Sequence, residues 1–228
     1  MSAKIRIDVV SDVACPWCYV GKKHLEKALE DFNETEVEVA WHPFQLDPTV
    51  PREGKDKDQH YAEKFGSMER FYQLSERLEL AGQQAGINFD FHALQRVPNT
   101  LRLHVLLHEA GKEGFAPDLK EAFLSAYFEK GLDLSSDEVV LEIMSGFGWS
   151  PEKTREIWND QEKEYWVLQE IRHYQNLGVN AVPFFIINNT YALSGAQPTD
   201  VFKQALIQIG NEMDKKQGEA CEINDPNC

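Results

Sequence analysis

The chain has 228 residues, of which 42% are hydrophobic and 27% charged, and its formal net charge is -15. This length allows a large core without disulfide bonds, and no apolar run approaches the roughly 20 residues that a membrane-spanning helix needs. The negative charge repels phosphates and anionic lipid, so neither nucleic acid nor a membrane is expected as a partner. The opening MSAKIRIDVVSD lacks the apolar segment of a secretory signal, which predicts a cytoplasmic protein.

Residues 1–46 are expected to form a β-α-β unit. Apolar and charged residues alternate from Lys4 to Val10, which indicates a strand, and the same alternation from residue 36 to Trp41 indicates a second one. The segment between them has the spacing of an amphipathic helix whose apolar stripe faces a sheet, at Leu25, Ala28, Leu29 and Phe32. The crossover of this unit is expected to be right-handed.

Residues 47–165 are expected to form an inserted helical domain. The stretch PTVPREGKDKDQ, residues 48–59, is charged and contains proline, which predicts a loop. Helical stripes follow, the first around Leu106 and a second that begins near Pro117. Ser150 and Pro151 indicate the start of a further helical segment, which is expected to continue to Gly178.

Residues 166–210 are expected to supply a helix, a hairpin and a last helix. The strand-like runs PFFII and TYALSG flank Asn188-Asn189, a two-residue turn able to take positive φ. Pro198 suits the first turn of the last helix, and Gly210 is predicted to end it. Residues 211–228 are expected to form a flexible acidic tail. The aromatic residues, including Phe184, Phe185 and Trp166, are expected first of all in the core.

The four cysteines form two local pairs, Cys15/Cys18 and Cys221/Cys228. Cys15 and Cys18 are three residues apart where a strand ends and a helix begins, so both sulfurs can lie on one helical face. Pro16 fits the first helical position, which places Cys15 where free N–H groups stabilise a thiolate. We therefore expect Cys15 to be the reactive thiol and Cys18, one turn deeper, to resolve a mixed disulfide.

A CxxC pair is also half of a zinc site. The other half would come from Cys221 and Cys228 or from a pair of histidines, but the distal spacing is wide and no histidine adjoins either cysteine pair. His104 and His108 are i, i+4 on one helix, but the position after His104 lacks the Glu of the HExxH motif, so a surface edge is expected. No metal is predicted.

Three segments together resemble the FrnE-like branch of the DsbA family. They are SDVACPWCYVGK directly after the first strand, VPNT before a helix, and GVNAVPFF near the end. The resemblance extends nearly to Gly210 and implies an α/β thioredoxin fold with a helical domain inserted after the second strand. It also implies a cis bond between Val182 and Pro183 that faces the cysteines and leaves the backbone of Val182 free to pair with an extended peptide.

The resemblance implies a thiol-disulfide oxidoreductase whose partners are disulfide-containing or thiol proteins. Pro16, Trp17, Val182, Pro183 and Asn99 are the expected substrate-binding residues, although capping of the next helix also explains Asn99. No bound cofactor is expected, and glutathione or a thioredoxin system is the candidate reductant. Many periplasmic members have His where this chain has Trp17, so the direction stays open between reduction, isomerisation and formation of disulfides.

Two alternatives to this function stay open. The first is a glutathione-dependent transferase or isomerase of the kappa class and hydroxychromene-carboxylate isomerase branch, whose reacting position generally carries Ser and which lacks a resolving cysteine. The second is a chaperone or binding module whose helical block holds unfolded clients. The distal Cys221 and Cys228 are separated by six residues that can turn back, so they are predicted to form a second redox pair that exchanges with Cys15 and Cys18 or senses oxidation. A disposable tail is the alternative for this segment.

Overall fold

The computed structural model describes residues 5–32 and 37–224. A four-stranded sheet has the order β2-β1-β5-β6, formed by β1 (Ile5–Ser11), β2 (Val37–Pro43), β5 (Phe184–Ile187) and β6 (Tyr191–Ser194). β1 pairs with β2 in parallel and with β5 antiparallel, and β5 pairs with β6 antiparallel. The predicted β-α-β unit and hairpin are therefore confirmed. Asn188 and Asn189 have φ of 51° and 53°, as the two-residue turn requires.

Two helices, α1 (Pro16–Leu29) and α9 (Thr199–Asn224), pack together on the sheet. Their buried side chains form one apolar cluster with the strands, including Ile7, Val9, Leu25, Phe185 and Phe202. The prediction that the last helix ends at Gly210 is wrong, because α9 continues to Asn224. Glycine at 210 lowers helix propensity but does not stop a helix whose first turns are held by packing.

The helical part lies between β2 and β5. It contains the short strands β3 (Lys55–Asp56) and β4 (Arg96–Val97), which pair antiparallel, and a set of helices. The helices are α2 (Lys57–Phe65), α3 (Met68–Gln84), α4 (Leu101–Lys112), α5 (Ala116–Phe128), α6 (Asp137–Gly146), α7 (Pro151–Trp158) and α8 (Gln161–Asn176). A second apolar cluster, which includes Phe91, Leu106 and Phe123, holds these helices together.

Three sequence predictions for this part are wrong. The loop predicted over 48–59 ends at Gly54, because Asp56 accepts a hydrogen bond from the backbone N–H of Gln59 and so caps α2. The segment from Ser150 to Gly178 is two helices, because Asp160 caps a new helix through the N–H groups of residues 162 and 163. The predicted domain boundary at residue 165 consequently falls inside α8. Trp166 on α8 is 56% exposed and is not a core residue.

A network of ionisable side chains ties α8 to the sheet. His42 on β2 contacts Asp8 through Nε2 at 2.8 Å and Glu170 through Nδ1 at 2.6 Å. Arg6 also pairs with Asp8 at 2.8 Å, and His108 on α4 lies 3.6 Å from Glu170. Burial acts to raise the pKa of Glu170, but hydrogen bonds from His108 and His42 outweigh it and lower the pKa to about 2. The network therefore favours the ionised carboxylate of Glu170.

We expect Glu170→Gln to destabilise the protein near pH 7 by roughly 2–3 kcal/mol. A carboxylate whose pKa is lowered by folding stabilises the protein above the unfolded value, near 4.5, and this contribution is lost as the pH falls towards 2. The difference from wild type should thus shrink to roughly half or less at pH 3. Urea unfolding at both pH values measures it.

The matched control is Glu162→Gln, which removes the same charge at an exposed position of the same helix and should change the free energy of unfolding by less than about 0.5 kcal/mol. An equal loss for Glu170→Gln at pH 3 and pH 7 would show that packing, not ionisation, carries the effect.

Candidate active site

The start of α1 places both cysteines. β1 ends at Ser11, and Cys15 is the N-cap of the helix with φ -107° and ψ 108°, directly before Pro16. The Sγ atom of Cys15 accepts a hydrogen bond from the backbone N–H of Cys18 at 3.2 Å. Sulfur thus takes the position of the oxygen that usually caps a helix. The Cys15 sulfur therefore lies at the end of α1 where the free N–H groups and the positive end of the helix dipole are found.

The loop before β5 faces the same sulfur. The peptide bond between Val182 and Pro183 is cis, as expected, and the thiol of Cys15 donates to the carbonyl oxygen of Val182 at 3.6 Å. Gly21 of α1 permits this approach, because a Cβ there would lie 3.0 Å from Cγ of Pro183 and 3.2 Å from Cζ of Phe185. A side chain at residue 21 would push the loop away from the helix. Gly21 was not among the predicted site residues.

Cys18 lies beneath Cys15 and is only 1% exposed. Burial, followed by the hydrogen bond and the charge of Cys15, raises the pKa of Cys18 well above its ordinary value. The ammonium group of Lys120 on α5 acts in the opposite direction. Lys120 is itself 1% exposed, and burial lowers its pKa to about 8 against the attraction of Cys18 and Asp12. A buried cation therefore lies near enough to the resolving thiol to favour its thiolate.

Asp12 is a buried carboxylate between β1 and the cysteines. Its Oδ2 accepts from the backbone N–H of Leu46 at 2.8 Å, and its Oδ1 lies 3.3 Å from Nε2 of His104. The same Nε2 is 2.8 Å from the carbonyl oxygen of Phe44, which can only accept, so Nε2 carries the proton. Burial acts to raise the pKa of Asp12, but the hydrogen bonds from His104 and Leu46 lower it.

The surface position predicted for His104 is wrong, since the side chain is 2% exposed. The i, i+4 spacing of His104 and His108 could not show which of the two faces the core. His108 lies at the edge, on Glu170, so the two histidines have different partners. Among the side chains that the structure describes, no group of three or more His, Cys, Asp or Glu is placed to hold a metal ion.

A cavity of about 450 Å³ opens beside Cys15. Pro16, Trp17 and Val182 of the predicted substrate-binding set line it, and Trp17 is 40% exposed. Helices α2 and α3 form its opposite wall, which the sequence analysis did not foresee. Asn99 does not line this cavity, because its side chain donates to the carbonyl of Val50 and accepts from the N–H of Leu101. Asn99 thus bonds a free N–H at the start of α4, where Thr100 is the N-cap residue, and its contact with substrate stays a prediction.

Lys120 and Asp12 are the main site residues that sequence reasoning missed. Lys120, Phe123, Leu124 and Tyr127 are all buried and have the i, i+3, i+4, i+7 spacing of one helical stripe. The presence of a lysine on an otherwise apolar stripe was the sequence signal that could have identified Lys120. Asp12 stands inside the SDVACPWC segment itself. Cys221 falls within α9, but its side chain and all of Cys228 are outside the described part of the chain, so the second redox pair stays a prediction.

We expect iodoacetamide to alkylate Cys15 of the reduced protein well before Cys18 at mildly acidic pH. Cys15 lines the cavity at the start of α1, whereas Cys18 is buried and burial raises its pKa. Mass spectrometry of the peptides after timed quenching measures the two rates. Equal rates would contradict the assignment of the two roles.

The fold and this site define a thioredoxin-fold protein with a dithiol at the start of its first helix. The profile of the DSBA-like thioredoxin domain matches residues 6–207, and the chain belongs to this family. It is similar to a probable DsbA oxidoreductase from Streptomyces coelicolor, with 34% identity and a TM-score of 0.81 over 90% of this chain and 89% of that one.

Two further comparisons place the chain more broadly. It is 25% identical to the uncharacterized protein YwbO of Bacillus subtilis strain 168, over 93% of this chain and 99% of that protein. A 2-hydroxychromene-2-carboxylate isomerase shares the fold, with a TM-score of 0.66 and 13% identity over 96% of this chain and 100% of that one. No helix in the described residues has the length and apolar character needed to cross a membrane.

Proposed function

We propose that the chain is a thiol-disulfide oxidoreductase that acts on protein disulfides, with Cys15 as the attacking thiol and Cys18 as the resolving thiol. The observation that carries this proposal is the setting of the Cys15 sulfur. It caps α1, accepts from the N–H of Cys18 and faces the carbonyl of Val182. A buried cysteine with a purely structural role needs no such capping contact.

The exchange proceeds in two displacements. The thiolate of Cys15 attacks one sulfur of a substrate disulfide, and the other sulfur leaves as a thiolate that takes a proton from water. Cys18 then loses its proton and attacks the sulfur of Cys15, which releases the second substrate thiolate and closes the Cys15–Cys18 disulfide. The positive charge of Lys120 favours the ionised form of Cys18 in this second step. A thiol reductant such as glutathione or a thioredoxin-like protein returns both cysteines to the reduced state.

The backbone of Val182 and the indole of Trp17 are the proposed contacts for the substrate chain. An extended peptide beside the loop before β5 would pair with the backbone of Val182 while its half-cystine meets Cys15. Trp17 is 40% exposed and lies next to the capping cysteine, so it offers an aromatic surface for the neighbouring residues.

The test is reduction of insulin with dithiothreitol as the electron donor, together with the reduction potential of Cys15/Cys18 measured in glutathione buffers. We expect catalysis above the rate of dithiothreitol alone. A potential well below that of the glutathione pool would assign the reductive direction, and one well above it would assign disulfide formation. Failure to accelerate insulin reduction or the repair of scrambled disulfides would contradict the proposal.

A glutathione-dependent transferase or isomerase is the second candidate, because the cavity beside Cys15 has the volume of a small-molecule site. Cys18, three residues after Cys15, can form a disulfide with it, and this favours redox exchange instead. A glutathione-dependent reaction that survives Cys18→Ser would favour the second candidate. The chaperone alternative requires client binding that survives loss of both cysteines.

A further inference from the structure

The cavity beside Cys15 gives a reactant direct access to the sulfur. Cys15 is 3% exposed, and it lines the cavity together with Pro16 and Trp17. The opposite wall comes from α2 and α3, which cover this side of the thioredoxin domain. A volume of about 450 Å³ is in the range of sites for small organic ligands. A reactant of that size can be enclosed at the sulfur.

The wall opposite Cys15 is aromatic and aliphatic. Tyr61 and Phe71 stack with ring centroids 4.1 Å apart and an angle of 8° between the rings, and Phe71 meets Phe91 edge-on at 6.0 Å. Leu74 and Leu78 of α3 continue this surface. Rings that already pack on one another form a fixed surface. A further flat ring can stack on this surface at little cost in conformational entropy.

Cations stand among the lining residues. Lys64 of α2 and Arg77 of α3 are both exposed, and neither is paired with a carboxylate within the described part of the chain. Two carboxylates also line the cavity. Asp47 accepts from the N–H and hydroxyl of Thr49 at 2.9 and 2.5 Å, and the buried Asp12 accepts from the N–H of Leu46. Lys64 and Arg77 are more exposed than either carboxylate, so they are the charged groups that an anionic ligand can reach.

We propose that this cavity binds a small disulfide of aromatic thiols that carry a carboxylate, and that such a disulfide is a substrate of Cys15 and Cys18. The proposal rests on the oxidoreductase function above and names a substrate class for the same site. The ring would lie against Tyr61 and Phe71, and the carboxylate would face Lys64 and Arg77.

The reaction balances with the disulfide as the oxidant. Cys15 attacks one sulfur of the bound disulfide, the S–S bond breaks, and one aryl thiolate leaves. Cys18 then displaces the second aryl thiolate from Cys15, and the two protons of the cysteines pass to water or to the products. One disulfide and one dithiol thus give two thiols and the Cys15–Cys18 disulfide.

The test is stopped-flow oxidation of the fully reduced protein by two symmetrical disulfides. Dithiobis(nitrobenzoate) is aromatic and anionic, and cystamine is aliphatic and cationic. We expect the rate at which the first aryl thiolate is released to reach a plateau as the concentration of the aromatic disulfide rises, because a bound complex forms first. Cys18→Ser, which cannot make the second displacement, should show the same plateau. The rate with cystamine should stay linear. Added salt should slow the aromatic reaction by screening Lys64 and Arg77.

Three variants locate the binding site. Leu74→Trp fills the cavity and should slow the aromatic reaction about tenfold, which is more than it slows the reaction with cystamine. Leu80→Trp is the matched control on the same helix, since Leu80 is 61% exposed and does not line the cavity. Lys64→Ala and Arg77→Ala should each slow the aromatic reaction about 2- to 5-fold and weaken its salt dependence.

The possible failures are distinguishable. If wild type and Cys15→Ser react alike with both disulfides and with insulin, the oxidoreductase function itself fails. If exchange depends on Cys15 but the aromatic rate shows no plateau and is unchanged in Leu74→Trp, only the substrate class is overturned. Equal slowing of both disulfides in Leu74→Trp would likewise overturn it, because the cavity would then not select for a ring.

Discussion

Replacing Cys15 by serine is expected to reduce disulfide exchange to the rate seen without protein. The serine hydroxyl does not ionise near neutral pH and forms no bond to sulfur that Cys18 could break. The fold should tolerate the change, because serine is a preferred N-cap residue and its oxygen can accept from the N–H of Cys18 as the sulfur does. Insulin reduction with dithiothreitol measures the loss.

Cys18→Ser tests the second displacement, as Cys15→Ser tests the first. It leaves the first displacement intact and removes the second, so a mixed disulfide between Cys15 and the substrate should accumulate. Mass spectrometry after acid quenching detects that adduct. Thermal unfolding of both variants controls for misfolding, and each should lie within about 1 kcal/mol of wild type. Turnover that persists in Cys15→Ser would exclude Cys15 as the attacking thiol.

The parts of the fold that could be predicted are those with local signals. The alternation of Ile5, Ile7 and Val9 identifies β1 without reference to any partner, and Asn188-Asn189 allows the tight turn of the hairpin. The CxxC spacing, with proline at the first helical position, likewise fixes the geometry of Cys15 and Cys18 from four consecutive residues. Nothing distant is needed to place these thiols.

The parts that escaped prediction depend on contacts between distant segments. α2 begins in a charged stretch that resembles a loop, and the capping bond of Asp56 is the main local sign of it. The Asp12, His104 and Lys120 group brings together the end of β1, α4 and α5. Composition and spacing cannot show that a lysine is buried opposite an aspartate. The wall of the cavity has the same origin, since α2 and α3 reach Cys15 only through the inserted part.

Asp12→Ala is expected to destabilise the protein by about 3–5 kcal/mol, because it removes a buried carboxylate from the donors and the cation that its charge compensates. Asp12 is 1% exposed, and its loss would leave the N–H of Leu46 without its acceptor and the buried ammonium of Lys120 without a nearby anion. For a protein of this size each kcal/mol lowers the melting temperature by about 2–4 °C, so a decrease of roughly 6–20 °C should be seen.

The matched control is Asp118→Ala, which removes an exposed carboxylate from the first turn of α5 and should change the unfolding free energy by less than about 0.5 kcal/mol. Asp12→Asn keeps an acceptor for Leu46. The double variant with Lys120→Met should lose less unfolding free energy than the sum of the two single variants, because each single change leaves the other residue's charge uncompensated. Lys120→Met alone should also prolong the mixed disulfide on Cys15, since the attraction that favours the Cys18 thiolate is gone. Additive costs in the double variant, with resolution as fast as in wild type, would show that Asp12 and Lys120 act separately and that Lys120 does not position the charge for the second displacement.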